Sequence, residues 1–160
     1  MVDAYGCAPG NDSQSSDAIQ AFCQASMLSK VWVSLLLEAV FKQDSYYAVK
    51  DPVLLLFLAL YGYPDSPSYW EMDCDKKVVR TRHPELRLLL SIYVDDFKMA
   101  GPKENLAKGW ALLREEIDME DPATPTLYLR CEQATHDITM PSGAKVRMMV
   151  YDMETSYQAV

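Results

Sequence analysis

In the run Leu88-Leu89-Leu90-Ser91-Ile92-Tyr93-Val94-Asp95-Asp96-Phe97-Lys98-Met99-Ala100-Gly101, two adjacent acids interrupt a stretch that otherwise reads as buried strand. Apolar segments on both sides of the interruption predict a β-hairpin, with Gly101 ending its second arm. Carboxylates about 4 Å apart repel by roughly 1 kcal/mol in water, and by more beside an apolar interior, so a fold that keeps them there compensates their charge. A divalent cation is the most economical compensation, because carboxylate oxygens are the ligands Mg²⁺ prefers. The plainer reading of the same pair is a solvated Asp-Asp turn, since Asp favours turns on its own account.

Downstream of the hairpin, Pro102 opens a helix over residues 102–117. Leu106, Trp110, Leu113 and Ile117 form its apolar stripe, and Lys103, Glu104, Lys108, Arg114 and Glu115 lie off it. Upstream, the apolar run 53–60 reads as either buried strand or helix, because periodicity cannot separate the two. Tyr61-Gly62-Tyr63-Pro64-Asp65-Ser66-Pro67 ends that run. Ser66-Pro67 has the form of an N-cap followed by proline at the first helical position, and Trp70, Cys74 and Val78 recur at four-residue spacing, which predicts a helix over 67–79. Residues 30–35 read as a strand, 17–22 as a turn into a short helical segment, and 37–51 as mixed. Strands are predicted over 127–132 and 145–150, paired across Pro141-Ser142-Gly143. Residues 1–16 are rich in Ser, Asp, Gly and Asn without periodic apolar spacing, and read as a loose leader ahead of a domain spanning 17–160. The fold class expected is α+β.

The 160 residues fit one domain, with 49% hydrophobic and 24% charged residues. Net charge is −8, from 15 Lys+Arg against 23 Asp+Glu. Contact with nucleic acid therefore needs a local basic surface or metal ions. Cys7, Cys23, Cys74 and Cys131 form no Cys-x-x-Cys pair, and only His83 and His136 add nitrogen donors, which argues against zinc. Scattered thiols suit a reducing, intracellular compartment. The longest apolar run is too short to span a bilayer, and residues 1–16 lack the basic region and apolar core of a secretory signal, so neither membrane insertion nor export is expected.

Three stretches stand in a telling order: Asp17-Ala18-Ile19-Gln20-Ala21-Phe22-Cys23-Gln24 with Val31-Trp32-Val33, then Leu60-Tyr61-Gly62-Tyr63-Pro64-Asp65-Ser66-Pro67-Ser68-Tyr69-Trp70, then Ile92-Tyr93-Val94-Asp95-Asp96. Together they resemble the palm of a reverse transcriptase, an RNA-directed DNA polymerase, and closely that of copia-type LTR retrotransposons. Leu127-Tyr128-Leu129-Arg130-Cys131 and Tyr151-Asp152-Met153-Glu154 extend the resemblance, which runs from about Asp17 to the end. It implies an incomplete palm, a mostly antiparallel sheet with helices packed on one face, without fingers, thumb or RNase H. The implied chemistry is nucleotidyl transfer with two Mg²⁺ ions, or Mn²⁺ as substitute, held by Asp17, Asp95 and Asp96. The implied partners are an RNA or DNA template with its primer and deoxynucleoside triphosphates.

By the same resemblance, Phe22 sits under the incoming sugar and excludes a 2′-hydroxyl by bulk, with core packing as its plainer role. Gly62 belongs to the segment beneath the nucleotide. Ser66, Pro67, Tyr93, Leu129 and Arg130 match positions that contact primer and template, although Tyr93 and Trp70 read as core rather than as base-stacking platforms. For Asp17 alone, a helix cap is the simpler reading. The chain also departs from the family pattern. Arg130 stands where relatives have glycine, Leu36-Leu37 replaces a Pro-containing turn, and the polar residues 1–16 replace the apolar strand that usually delivers the first acid. The competing expectation is a catalytically inactive retroelement remnant with at most metal- or partner-binding activity.

Overall fold

The computed structural model describes residues 1–34, 53–129 and 131–154. Residues 37–51, Leu36-Leu37 and Arg130 therefore lie outside the described residues. The chain divides into two units, one made of Met1–Ala21 with Asp75–Val160 and the other of Phe22–Cys74. Helices and antiparallel sheets mix throughout, as expected for an α+β protein.

The first unit is built on a sheet of three antiparallel strands in the order β1-β5-β4, where β1 is Asn11–Asp17, β4 is Leu89–Tyr93 and β5 is Asp96–Pro102. β4 and β5 are the predicted hairpin, closed by Val94 and Asp95. Alternation along β5 sends Phe97 and Met99 to one face and Asp96, Lys98 and Ala100 to the other. Phe97 and Met99 meet α3 (Lys103–Arg114), whose Leu106, Trp110 and Leu113 are buried together with Ile117 just beyond it. α3 approaches the sheet closely. A Cβ added at Gly109 would lie 2.3 Å from Leu88 Cδ1 and 2.7 Å from Met99 Sδ. The C-terminal part of α2 (Ser66–Arg80) adds Val78 and Val79 to the wall of an apolar cavity shared with Leu86, Leu90 and Leu112.

Residues 1–16, expected as a loose leader, instead form α1 (Val2–Gly6) and most of β1. β1 contains no apolar side chain, and its strand state comes from neighbours on both sides. β5 pairs along its whole length, and on the other edge Ser15 and Ala123 exchange two backbone hydrogen bonds of 2.9 Å while the Glu120 N–H donates to the Asp17 carbonyl at 2.9 Å. Two of its polar side chains also find partners inside the fold. Ser16 Oγ donates to the Glu120 carbonyl at 2.8 Å, and Trp110 Nε1 donates to Gln14 Oε1 at 3.0 Å.

α1 covers the face of the sheet that carries Lys98 and Ala100. A Cβ at Gly6 would stand 3.0 Å from Ser13 Cβ and 3.5 Å from Ala100 Cβ. Helical cover is therefore not confined to one face, because the segment read as loose supplies a helix of its own. The second sheet of this unit runs β6-β7-β8: Leu127–Tyr128, Cys131–Thr139 and Lys145–Asp152. β7 and β8 pair from Glu132↔Asp152 to Thr139↔Lys145. The expected single strand over 127–132 is thus two strands with a turn between them, and Leu129 takes φ 51 in that turn.

In the second unit, β2 (Trp32–Ser34) and β3 (Val53–Leu55) pair antiparallel, so the run 53–60 opens as a strand. Ala25, Ala59, Ser66, Trp70 and Cys74 are buried there. Trp70 and Cys74 share one face of α2, as their four-residue spacing predicts. Among the described residues no helix is long and apolar enough to cross a membrane, and none of the four cysteines forms a disulfide.

Candidate functional site

β1 and β5 run antiparallel in a register that makes Asp17 the partner of Asp96. The Ala18 N–H donates to the Asp95 carbonyl at 2.8 Å, which ties the end of β1 to the hairpin tip. Acids from two stretches remote in sequence therefore share one end of one sheet. Asp17 and Asp96 face the same side, because directly opposed residues of an antiparallel pair do so. Asp17 and Asp95 are exposed and Asp96 is half-buried. Burial pushes the Asp96 carboxyl up from its ordinary value, and the charges of Asp17 and Asp95 add to that push. That repulsion is what a bound cation would relieve.

The side chains as they stand do not form a finished metal cage. Among the described residues, no three His, Cys, Asp or Glu side chains converge closely enough to hold an ion. Backbone pairing brings the acids to one end of the sheet, with Asp17 and Asp95 at the surface. The donor set itself, all carboxylate oxygens, suits Mg²⁺ or Mn²⁺.

Tyr93 closes β4 opposite Asp96 and is 60% exposed, so it is a surface ring beside the acids rather than a core residue. Leu129 is also exposed, in the β6–β7 turn. The remaining predicted residues belong to the second unit. Phe22 lies in the 3₁₀ turn Ala21–Gln24 with its ring centroid 4.7 Å from that of Tyr61, tilted by 41°. Gly62 adopts φ +89 with nothing within 4 Å of an added Cβ. Pro67 is exposed. Ser66 is fully buried, and its hydroxyl is spent on Leu60: Oγ donates to the carbonyl at 2.7 Å and accepts from the N–H at 3.2 Å. Its side chain holds the turn and offers no surface to primer or template.

Sequence reasoning missed the polar cluster next to the acids. Lys98, on the same face of β5 as Asp96, is buried and pairs with Asp3 of α1. Its ammonium donates to Gln133 Oε1 at 2.5 Å and stands 4.9 Å from the centroid of the Tyr128 ring. Tyr128 in turn makes a hydrogen bond with Ser91. Burial pushes its phenol up, the Ser91 bond opposes this, and the charges of Asp96 and Asp3 reinforce it. The signal available was a lysine enclosed in the apolar sequence Phe97-Lys98-Met99-Ala100. No protein-family model matches the chain, and a search of curated proteins finds no match to it.

Proposed function

We propose that the chain is the palm region of an RNA-directed DNA polymerase of the copia-type retrotransposon class, carrying its metal ligands at Asp17, Asp95 and Asp96. The observation that supports this reading best is the β1–β5 register, in which Asp17 opposes Asp96 next to Asp95. Mg²⁺ or Mn²⁺ bound there supplies the charge that lowers the pKa of a primer 3′-hydroxyl and steadies the leaving pyrophosphate. The chain's own contribution is orientation. Asp95 at the tip acts as the more direct ligand, Asp96 supports it from the strand, and exposed Tyr93 and Leu129 are the candidate contacts for a primer end.

Primer extension on a poly(A) template with Mg²⁺ or Mn²⁺ tests the reading. Asp95→Asn and Asp17→Asn should each lower the rate on the order of 100-fold or more, since each removes a first ligand. Equal incorporation by the wild-type chain and both variants rejects catalysis by these acids. The second reading, a retroelement remnant without catalysis, draws on the lack of a three-ligand convergence among the described residues. It predicts no extension by any form of the chain, with cation binding as the most that survives.

A further inference from the structure

Lys98 is the third residue of the middle strand, and its side chain is only 1% exposed. Taking an ammonium out of water is costly, and an apolar residue of similar length usually fills such a position with equal or better stability. What a buried cation adds is direction, because its partners must come to it at fixed distance and angle. The partners here come from three separate elements: Asp3 from α1, the Tyr128 ring from β6 and Gln133 from β7.

β6 has two residues and two pairs, Leu127↔Glu132 and Tyr128↔Cys131. A ladder that short does not hold its turn by itself. β8 holds the β7 side, and the Gln133 N–H donates to the Thr126 carbonyl at 2.8 Å. The β6 side is held from outside by Tyr128 on Lys98 and Ser91, with the Gln133 side chain on Lys98 tying β7 to the same cation. Lys98 lies two residues along β5 from Asp96 and points to the same face, so its tether acts about 7 Å from the acids.

We propose that Lys98 is a positioning residue, whose buried ammonium fixes the β6–β7 turn relative to the acid-bearing hairpin. The use of that turn, to seat a primer end, rests on the polymerase reading above, while the tether itself does not. The consequence for catalysis is specific. Loosening the turn leaves the acids in place and impairs the seating of primer alone.

Two variants of the full chain test this. Lys98→Met removes the cation and keeps the stem, and Gln133→Ala cuts the link to β7 while keeping the Lys98–Asp3 pair, so it serves if the first variant fails to fold. Amide hydrogen exchange over residues 127–133 should quicken about tenfold in either variant, the loss of one charge-assisted hydrogen bond, while Ser15 and Ala18 on the β1 side keep their protection. In primer extension, KM for primer–template should rise about tenfold, with the nucleotide KM and the Mn²⁺ affinity of the chain unchanged. Uniform acceleration across both sheets, or none, overturns the proposal, because Lys98 is then an ordinary core residue or an inert one. Local acceleration in a chain whose wild type extends no primer upholds the tether and defeats the polymerase reading instead.

Discussion

Val94 occupies the first position of the two-residue hairpin loop with φ 56. A β-branched side chain in the left-handed region is an outlier costing about 1–2 kcal/mol, and tight hairpin loops place Gly or Asn there. Val94 is 43% exposed, so little packing is lost on replacing it. Val94→Asn should raise the melting temperature by about 2 °C, read by circular dichroism. If the strain helps to aim Asp95, the same variant loses cation affinity, which calorimetry detects. Asp96 makes a second prediction. Its folded pKa lies above the ordinary 3.8, so its favourable contribution is complete below that value and is lost as pH rises through the folded pKa. At neutral pH the ionised side chain is a net cost to the fold. Asp96→Asn should therefore melt about 2 °C higher than wild type in EDTA, discounted for its partial exposure. Mn²⁺ should stabilise the wild type and not the variant. A wild-type melting curve indifferent to Mn²⁺ removes the acids from metal binding.

At the scale of elements, α1 and β8 are joined through Asp3, whose second oxygen accepts from the Tyr151 hydroxyl at 2.7 Å. Burial pushes the Asp3 carboxyl up, but hydrogen bonds from Lys98 and Tyr151 and the Lys98 charge outweigh it and hold the pKa below the usual 3.8. Its stabilisation is thus present above 3.8 and lost as pH falls through the lowered value. Tyr151 works at the other end of the scale. Burial, then its bond to Asp3, pushes its phenol up to about 12, so its contribution is complete below 10 and lost as pH rises through about 12. Asp3→Asn, which leaves Lys98 buried with neutral partners, should cost about 2 kcal/mol near neutral pH and flatten the acid limb of the stability curve. Denaturant titrations across pH measure both effects. These elements also mark what the sequence could disclose. The hairpin and both long helices were legible because their signals are local: two apolar arms around Asp95-Asp96, and stripes through Trp70 and Trp110. β1 was not, since Asn11–Asp17 is a strand only by virtue of β5 and residues 118–123, far along the chain. For the same reason Asp17 read as a helix cap from its neighbours, and only its place in a family-like order pointed to the acids. The tether at Lys98 was hidden more deeply, because its partners at positions 3, 128 and 133 follow no spacing that a helix or strand imposes.

For the whole molecule, the net charge of −8 sets the terms on which a polyanion can be bound. Proteins that bind nucleic acid through their own Lys and Arg release counterions, and their affinity falls steeply with salt. This chain carries 15 such residues against 23 acids, and one of the cations, Lys98, is committed inside the fold. Binding of primer–template should accordingly depend on divalent ions bridging acid and phosphate. Anisotropy of a labelled primer–template should show at least about tenfold weaker binding in EDTA than in Mg²⁺ at matched ionic strength, with a shallow dependence on monovalent salt. The combined variant Asp17→Asn, Asp95→Asn, Asp96→Asn separates bridging from simple repulsion. It makes the chain less negative, so repulsion alone predicts tighter binding in both solutions. Bridging predicts a crossing: tighter than wild type in EDTA, where three repelling charges are gone, and weaker than wild type in Mg²⁺, where the ligands are gone. A variant that binds better in both solutions leaves the three acids as a surface charge cluster with no part in holding nucleic acid.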